Sequence, residues 1–319
     1  MIEWLRLRSY GASTSFIIAM NGLSMSKDKD RILNIILVSP SILAVLIFIY
    51  GFIAWSVRVS LSKWKGLNAD YTWNGIKNYV ELFADARFAV DVKNTLIFTG
   101  VFVIGSLLLG FLLAVMLDQG LKGEGFFRSL FLFPMAISYI VTGVVWRWLM
   151  NPATGSRTSG LNLLFTNIGL DSWVNAWHTT PQWGMAAIAL AAIWQMSGYT
   201  MALYLAGLRA IPQELKEAAR IDGASELQIY RHIMIPLLSP VTLSALIILG
   251  HMSLKVFDLI IAIAGKQLQL DVPAIYMWQA TFDGLFYARG AAIGIILLLS
   301  VAILIIPYMR YTLKTEAQQ

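Results

Sequence analysis

The chain offers few side chains that could carry out chemistry. It contains no cysteine, and its three histidines, His178, His232 and His251, are too far apart in the sequence to suggest a metal cluster. His251 and Ser253 could contribute to a hydrolytic site, but two residues apart on a helix they point about 200° away from each other. No nucleophile motif surrounds Ser253. The sequence therefore favours neither a metal centre nor a serine hydrolase.

Two opposite charges, Lys255 and Asp258, interrupt a strongly apolar stretch. At a spacing of three residues they would meet on one face of a helix. If this stretch crosses a bilayer, each charge costs roughly 2.5–3.5 kcal/mol near the centre, so it must be paired or reach water. An ionisable residue inside a membrane span is by default a candidate functional residue, and at this point both a functional and a structural role stay open. We assign no proton coupling to this pair alone.

The composition indicates which elements hold these residues. The chain is 58% apolar and 13% charged, with a mean hydropathy of +0.67, as in helical membrane proteins with several spans. Pro134 invites a kink, and Trp146 and Trp148 suit an aromatic belt at the bilayer interface. We predict an all-α polytopic membrane protein with six transmembrane helices. Stretches of the ~20 residues needed to cross the hydrocarbon core lie near Ile32–Val57, Asn94–Leu117, Ser129–Met150, Met185–Leu208, Val241–Ala264 and Gly290–Tyr308.

The net charge of +6 bears on orientation rather than on nucleic acid, because no basic face or stacking motif accompanies it. With the N-terminus inside, lysine and arginine are moderately more frequent on the inner side of the predicted spans. The loop of residues 151–184, which would lie outside, contains Arg157 as its only lysine or arginine. We therefore expect both termini in the cytoplasm.

These predictions divide the chain into three parts. They are a cytoplasmic segment of residues 1–31, a transmembrane domain of residues 32–308 and a cytoplasmic tail of residues 309–319. Residues 1–24 precede Met25 and are either an upstream extension or the result of a misplaced start. The sequence assigns them no role.

A polar, charged segment separates the fourth and fifth apolar stretches. Pro212 suits the first turn of a helix, and Gly223 supplies the left-handed residue that commonly closes one. Ser225 with Gln228 three residues later predicts a capping box that opens a second helix, and we expect Pro236 to end it. The segment is thus predicted to be a helical hairpin with a glycine joint, a shape suited to transmitting force to a soluble partner.

The same residues carry a family resemblance. Glu217-Ala218-Ala219, then Asp222-Gly223-Ala224, eight more residues, Ile233-x-Ile235-Pro236 and finally Pro240 resemble the EAA loop of binding-protein-dependent ABC importer permeases. The variant with Asp222 and Ala224 is similar to the carbohydrate-uptake branch, such as the maltose and glycerol-phosphate permeases, although Ile235 stands where leucine is usual. The resemblance implies a type I ABC importer permease of the bacterial inner membrane, whose coupling hairpin, residues 212–236, contacts an ATPase. The implied coupling residues are Glu217, Ala218, Ala219, Asp222, Gly223 and Ala224.

A second run, after the first predicted span, resembles sugar permeases over residues 73–95, including Asn78-Tyr79, Leu82 and Asp85. Here Ile76–Phe83 is predicted to be a short amphipathic helix at the outer interface, with Tyr79, Leu82 and Phe83 on one side. The resemblance extends to Tyr308. It is interrupted at residues 264–274, where a glycine-rich loop is usual in the family.

The fourth and fifth spans flank the hairpin. Trp194, Ser197, Gly198 and Met201 share one helical face, and Leu249, Ser253 and Val256 form a similar stripe. Their small residues also suit close helix packing, an alternative that the sequence leaves open. In maltose-like permeases the corresponding stretches contact the sugar. The resemblance therefore implies a substrate path lined by Trp194, Ser197, Met201, Ser253 and Val256.

Several partners follow from the resemblance. The chain has no G-x-x-x-x-G-K-[ST] motif, so ATP and Mg²⁺ are expected on a separate ATP-binding subunit dimer, and no cofactor on this chain. An ABC importer presents two hairpins to two ATPases, so a second homologous permease is expected, most simply in a heterodimer. An extracytoplasmic sugar-binding protein would deliver the substrate, whose identity the sequence does not reveal.

One alternative is a secondary solute transporter driven by an ion gradient. Such a protein would show inverted repeats and mid-membrane carboxylates. Asp258 is the sole candidate carboxylate, and no repeat is visible. The importer hypothesis therefore explains more of the sequence.

Overall fold

The computed structural model describes residues 34–180 and 182–316, with side chains described up to residue 310. The predicted segment of residues 1–31, including residues 1–24, and the last three residues of the predicted tail lie outside the described residues. The described residues contain helices and turns, with an isolated β-bridge between Ser62 and Trp73 but no strand. The prediction of an all-α protein is confirmed.

Four described helices are long and apolar enough to cross a membrane, and six spans result if each of two bent helix pairs counts as one. The four continuous helices correspond to the first, second, fourth and sixth predicted spans. They are α1 (Asn34–Ser60), α3 (Ala86–Asp118), α7 (Gly184–Ala210) and α13 (Tyr287–Glu316). Between them lie α2 (Lys77–Phe83), α4 (Glu124–Leu132), α5 (Tyr139–Leu149), α6 (Gly160–Asn167), α8 (Gln213–Ile221), α9 (Glu226–Leu237), α10 (Ser239–Leu254), α11 (Asp258–Ala264) and α12 (Pro273–Trp278).

Contact clustering separates two compact units, which divide between Arg58 and Val59. The described part of the first unit is the first 25 residues of α1, which widen into a π-helical turn at Leu46–Gly51. All the helices from α2 onward belong to the second unit, and the packing described below lies within it.

The third predicted span is not one helix. A 3₁₀ turn at Phe133–Ala136 separates α4 from α5, and their axes differ by 99°. Pro134 has no N–H to continue a helix, and the Ser138 side chain opens α5 by accepting a hydrogen bond from the N–H of Val141 (3.3 Å). The predicted kink at Pro134 is therefore a complete break.

The fifth predicted span is also interrupted. α10 ends at Leu254 and α11 begins at Asp258. The prediction that Lys255 and Asp258 meet on one helical face is wrong, because they belong to separate segments, and within the described chain no ion pair joins them. Both side chains are exposed, and a carboxylate in the first turn of α11 suits the positive end of the helix dipole.

The core of the second unit is built on α3 and α7, which pack side by side in parallel. A Cβ on Gly110 would lie 2.6 Å from the Cβ of Thr200 and 2.9 Å from the backbone nitrogen of Met201. The hydroxyl of Thr200 donates a hydrogen bond to the carbonyl of Ser106 (2.8 Å). Small residues allow this approach, as in other membrane helix pairs. Within its most apolar 18-residue window, α7 is 67% buried, against 28% for α3, so α7 is the more central helix.

The ends of α3 and α7 define two opposite ends of the second unit. Asp118 and Ala210, the last residues of α3 and α7, lie beside the hairpin, and we call this the hairpin end. At the opposite end the guanidinium of Arg87, in the first turn of α3, donates hydrogen bonds to Asp271 (2.7 Å) and Gln279 (2.5 Å). The hydroxyl of Tyr276 donates to Asp85 (2.6 Å). α3 is thus held by polar contacts at this end.

The short helix α2 confirms the predicted helix near residues 76–83, but its predicted apolar side is only partly right. Leu82 is fully buried and the Tyr79 hydroxyl lies 2.7 Å from that of Ser60, whereas Phe83 is 66% exposed. Adjacent residues on a helix differ by 100°, so Phe83 cannot follow Leu82 into the same contact.

We predict that Gly110→Val lowers the stability of the folded protein by about 1–3 kcal/mol, because the side chain would overlap Thr200 and the backbone of α7. Gly100→Val, also on α3, is the matched control, since no atom lies within 4 Å of a Cβ placed there. The measurement is the apparent melting midpoint of the detergent-solubilised protein. Equal midpoints for the two variants would contradict the close packing of α3 on α7.

Candidate functional site

The candidate site is the helical hairpin formed by α8 and α9. Gly223 has φ +83° and closes α8 in a Schellman arrangement. The N–H of Gly223 donates to the carbonyl of Arg220 (3.0 Å), and the N–H of Ala224 donates to that of Ala219 (2.9 Å). The predicted glycine joint therefore has a defined geometry.

The second arm of the hairpin, α9, begins as predicted but ends at a different residue. The N–H of Ser225 donates to the side chain of Gln228 (2.8 Å) as part of a capping box. The prediction that Pro236 ends this arm is wrong, since α9 continues to Leu237. A π-helical turn at Tyr230–Met234 comes first, and Pro236 then occupies an early position of the next turn, where its missing N–H is tolerated. The chain bends by 63° only after Leu237.

The underside of the hairpin packs on the ends of α3 and α7. One apolar cluster joins the buried side chains of the hairpin to those of the two helices. The hairpin and the residue that follows it contribute Ala219, Ile229, Met234 and Leu238. The ends of the two helices contribute Ala114, Leu117, Met201, Tyr204, Leu205 and Leu208.

Ion pairs reinforce this contact. Lys216 lies 3.4 Å from Asp118 at the end of α3, and Arg209 at the end of α7 lies 2.8 Å from Glu124. Across the glycine joint, Arg220 donates a hydrogen bond to Glu226 (2.7 Å). This contact with the carboxylate raises the pKa of Arg220 and ties the two arms together.

The outer surface of the joint is exposed and carries two carboxylates. Glu217, Ala218, Asp222 and Gly223 are exposed, and within the described chain neither carboxylate has a hydrogen bond or ion pair. Beside them an open groove of about 340 Å³ is lined by residues of the joint and of α9. The remaining predicted coupling residues lie differently, since Ala219 is buried and Ala224 is half-buried against the chain's own core.

The sequence analysis did not identify two exposed residues of this surface. Ile221 is 87% exposed and Leu227 is 78% exposed, on either side of Gly223. A contiguous exposed apolar patch rimmed by polar residues marks an interaction site, so these two side chains are candidates for such a contact. No local signal marks them, because the exposure of an apolar side chain depends on which helices pack around it.

The five predicted path residues are not equally accessible. Trp194 is 37% exposed and its ring centroid lies 6.1 Å from that of Trp146, while Val256 is half-buried. Ser197, Met201 and Ser253 are buried. Their role as a substrate path stays a prediction.

Met201 and Ser253 are both 0% exposed, each for a separate reason. Met201 lies in the apolar cluster under the hairpin. The Ser253 hydroxyl donates to the carbonyl of Gly250 (2.8 Å) and accepts from Thr99 (2.9 Å). In this conformation neither side chain borders an open path.

The described residues contain no group of three or more histidine, aspartate or glutamate side chains that could hold a metal ion.

Comparison with known proteins identifies the family. The family model described as "binding-protein-dependent transport system inner membrane component" matches residues 106–313. A probable ABC transporter permease of Pyrococcus horikoshii is 40% identical over 294 residues, covering 92% of this chain and 99% of its own. The xylose/arabinose import permease XacH of Haloferax volcanii is 34% identical over 272 residues, covering 84% of each chain.

A solved structure shows the same architecture. A chain in the crystal structure of a bacterial alginate ABC transporter, in complex with alginate pentasaccharide-bound periplasmic protein, matches with a TM-score of 0.69 and 25% identity. The match covers 87% of this chain and 93% of that chain. The hairpin, the helix order and these likenesses together lead to one conclusion: the chain belongs to the family of binding-protein-dependent transport system inner membrane components.

Proposed function

We propose that this chain is the transmembrane permease subunit of an ATP-driven importer of a carbohydrate or a related polyol. The observation that carries the proposal is the rigid, glycine-jointed hairpin, which exposes Ile221, Leu227 and two unpaired carboxylates where α3 and α7 end. The substrate class is supported by the pentose import permease and the alginate transporter to which the chain is similar. ATP hydrolysis takes place on a separate subunit, because the chain has no phosphate-binding loop.

The hairpin couples the two subunits mechanically. ATP-driven closure of an ATPase dimer moves the hairpin, which transmits the displacement because its two arms cannot flex independently. The Schellman closure, the capping box and the Arg220–Glu226 contact all resist a change in the angle between the arms. The hairpin displacement then shifts α3 and α7 and opens the path alternately to each side of the membrane.

The assembly has further members. One chain supplies one hairpin, so a second homologous permease completes the pair that faces two ATPases. A sugar-binding protein docks on the opposite end. The alginate transporter in complex with its periplasmic protein supports this part of the proposal. The moderate lysine and arginine excess orients the hairpin and both termini toward the cytoplasm.

Trp194, Ser197, Met201, Ser253 and Val256 line the substrate path in this proposal. Trp194 and Val256 are accessible in the structure described here, and Ser197, Met201 and Ser253 become accessible when α7 and α10 separate. A sugar would then meet hydroxyl groups beside an aromatic surface, the usual combination for its polar edges and apolar faces.

We predict that Gly223→Pro abolishes uptake, because proline fixes φ near −65° and lacks the N–H that donates to Arg220. Gly223→Asn is the matched control, since asparagine tolerates the left-handed conformation, and should retain most uptake. Uptake of radiolabelled sugars by cells with equal membrane levels of each variant is the measurement. Normal uptake by a well-inserted Gly223→Pro protein would contradict the coupling role.

Glu217→Lys should prevent recovery of an ATP-binding subunit when the chain is affinity-purified from its native membrane. The reason is that Glu217 is exposed beside the joint and makes no hydrogen bond or close ion pair among the described residues. Mass spectrometry of the wild-type preparation should identify an ATP-binding subunit and a second multi-span chain. Asp283→Lys, a charge reversal at the opposite end, is the control. A wild-type chain that purifies alone and still moves solute would instead favour a secondary transporter.

A further inference from the structure

The two arms of the hairpin are attached to the rest of the chain by different forces. The second arm buries Ile229 and Met234 in the apolar cluster. Of the nine residues of α8, the first arm, only Ala219 is buried. The first arm therefore needs another attachment if it is to move α3.

That attachment is the ion pair between Lys216 and Asp118. The ammonium lies 3.4 Å from the carboxylate, and the two side chains are only 15% and 13% exposed. A cavity of about 460 Å³ lies beside the pair and is lined by residues of both arms and of the end of α3. Asp118, Lys216, Arg220 and Tyr230 are among its lining residues. The pair spans a region where apolar packing is incomplete.

Asp118 also connects to α7 and α4. Arg209, in the last turn of α7, approaches the second oxygen of Asp118 at 4.0 Å and Glu124 at 2.8 Å. Glu124 in turn pairs with Arg128 one turn further along α4. The charges alternate in sign along this series of ion pairs. A displacement of Lys216 therefore changes the electrostatic forces at the ends of α3, α7 and α4.

α3 can carry such a displacement over a long distance. It is a continuous helix of 33 residues that ends at Asp118 and begins beside the Arg87–Asp271 contact at the opposite end. A load applied to its last residue therefore acts on an unbroken element that packs along α7.

We propose that Asp118 is a positioning residue for coupling, which transmits the movement of the first arm to α3 through Lys216 and shares it with α7 through Arg209. This inference rests on the proposed function and assigns a route to its mechanical step. The apolar cluster keeps the hairpin in place, while the ion pair makes α3 follow it.

The test measures transport per ATP hydrolysed by the complete transporter in proteoliposomes, with its binding protein and ATPases. Asp118→Asn should lower this ratio at least about fivefold, the lower end of typical coupling between sites, while ATP hydrolysis continues. The conservative variant Asp118→Glu should recover most of the ratio, because it keeps a carboxylate beside both Lys216 and Arg209. If Asp118 were purely structural, Asp118→Asn would reduce assembly, hydrolysis and transport together, and transport per ATP hydrolysed would not fall.

Gln119→Ala is the matched control, because Gln119 follows Asp118 directly and lines the same cavity but carries no charge. It should leave the ratio unchanged. If Asp118→Asn transports normally per ATP, or if transport and hydrolysis fall together with loss of assembly, the inference is overturned. A wild-type complex that hydrolyses ATP without importing sugar would contradict the proposed function itself, so the two failures are distinguishable.

Discussion

The close parallel packing of α3 on α7 is the contact on which the rest of the second unit depends. Gly110 allows the backbones to approach, and the Thr200–Ser106 hydrogen bond fixes their register. Because both helices run in the same direction, both end under the hairpin, and a single surface can act on two long helices at once. An antiparallel pair would have placed only one helix end there.

The hairpin is internally rigid, but its attachment to α3 is partly flexible. Its joint is fixed by backbone hydrogen bonds, a capping box and an ion pair across the arms. The π-helical turn at Tyr230–Met234 accommodates Pro236 without ending the helix. The first arm is held mainly by charges across a cavity, so the hairpin can move as a body and still pull on α3.

Local signals in the sequence predicted the hairpin well, since Gly223 and the Ser225–Gln228 box act within one turn. Hydropathy failed to find the breaks at Pro134 and Lys255, because it reports composition and not helical continuity. Periodicity placed Met201 and Ser253 on helical faces, but access depends on which helices surround α7 and α10. The exposure of Ile221 and Leu227 is likewise a tertiary property, and the sequence alone could not reveal it.

The most direct test of the central claim is cross-linking from the hairpin in intact membranes. The chain has no cysteine, so Ile221→Cys introduces a single thiol, and Leu67→Cys is a control with similar exposure at the opposite end. With a linker that joins thiols to amines, the account predicts that Ile221→Cys captures an ATP-binding subunit and Leu67→Cys does not. Capture of that subunit by Leu67→Cys, or its absence from Ile221→Cys in a transporting protein, would contradict the account.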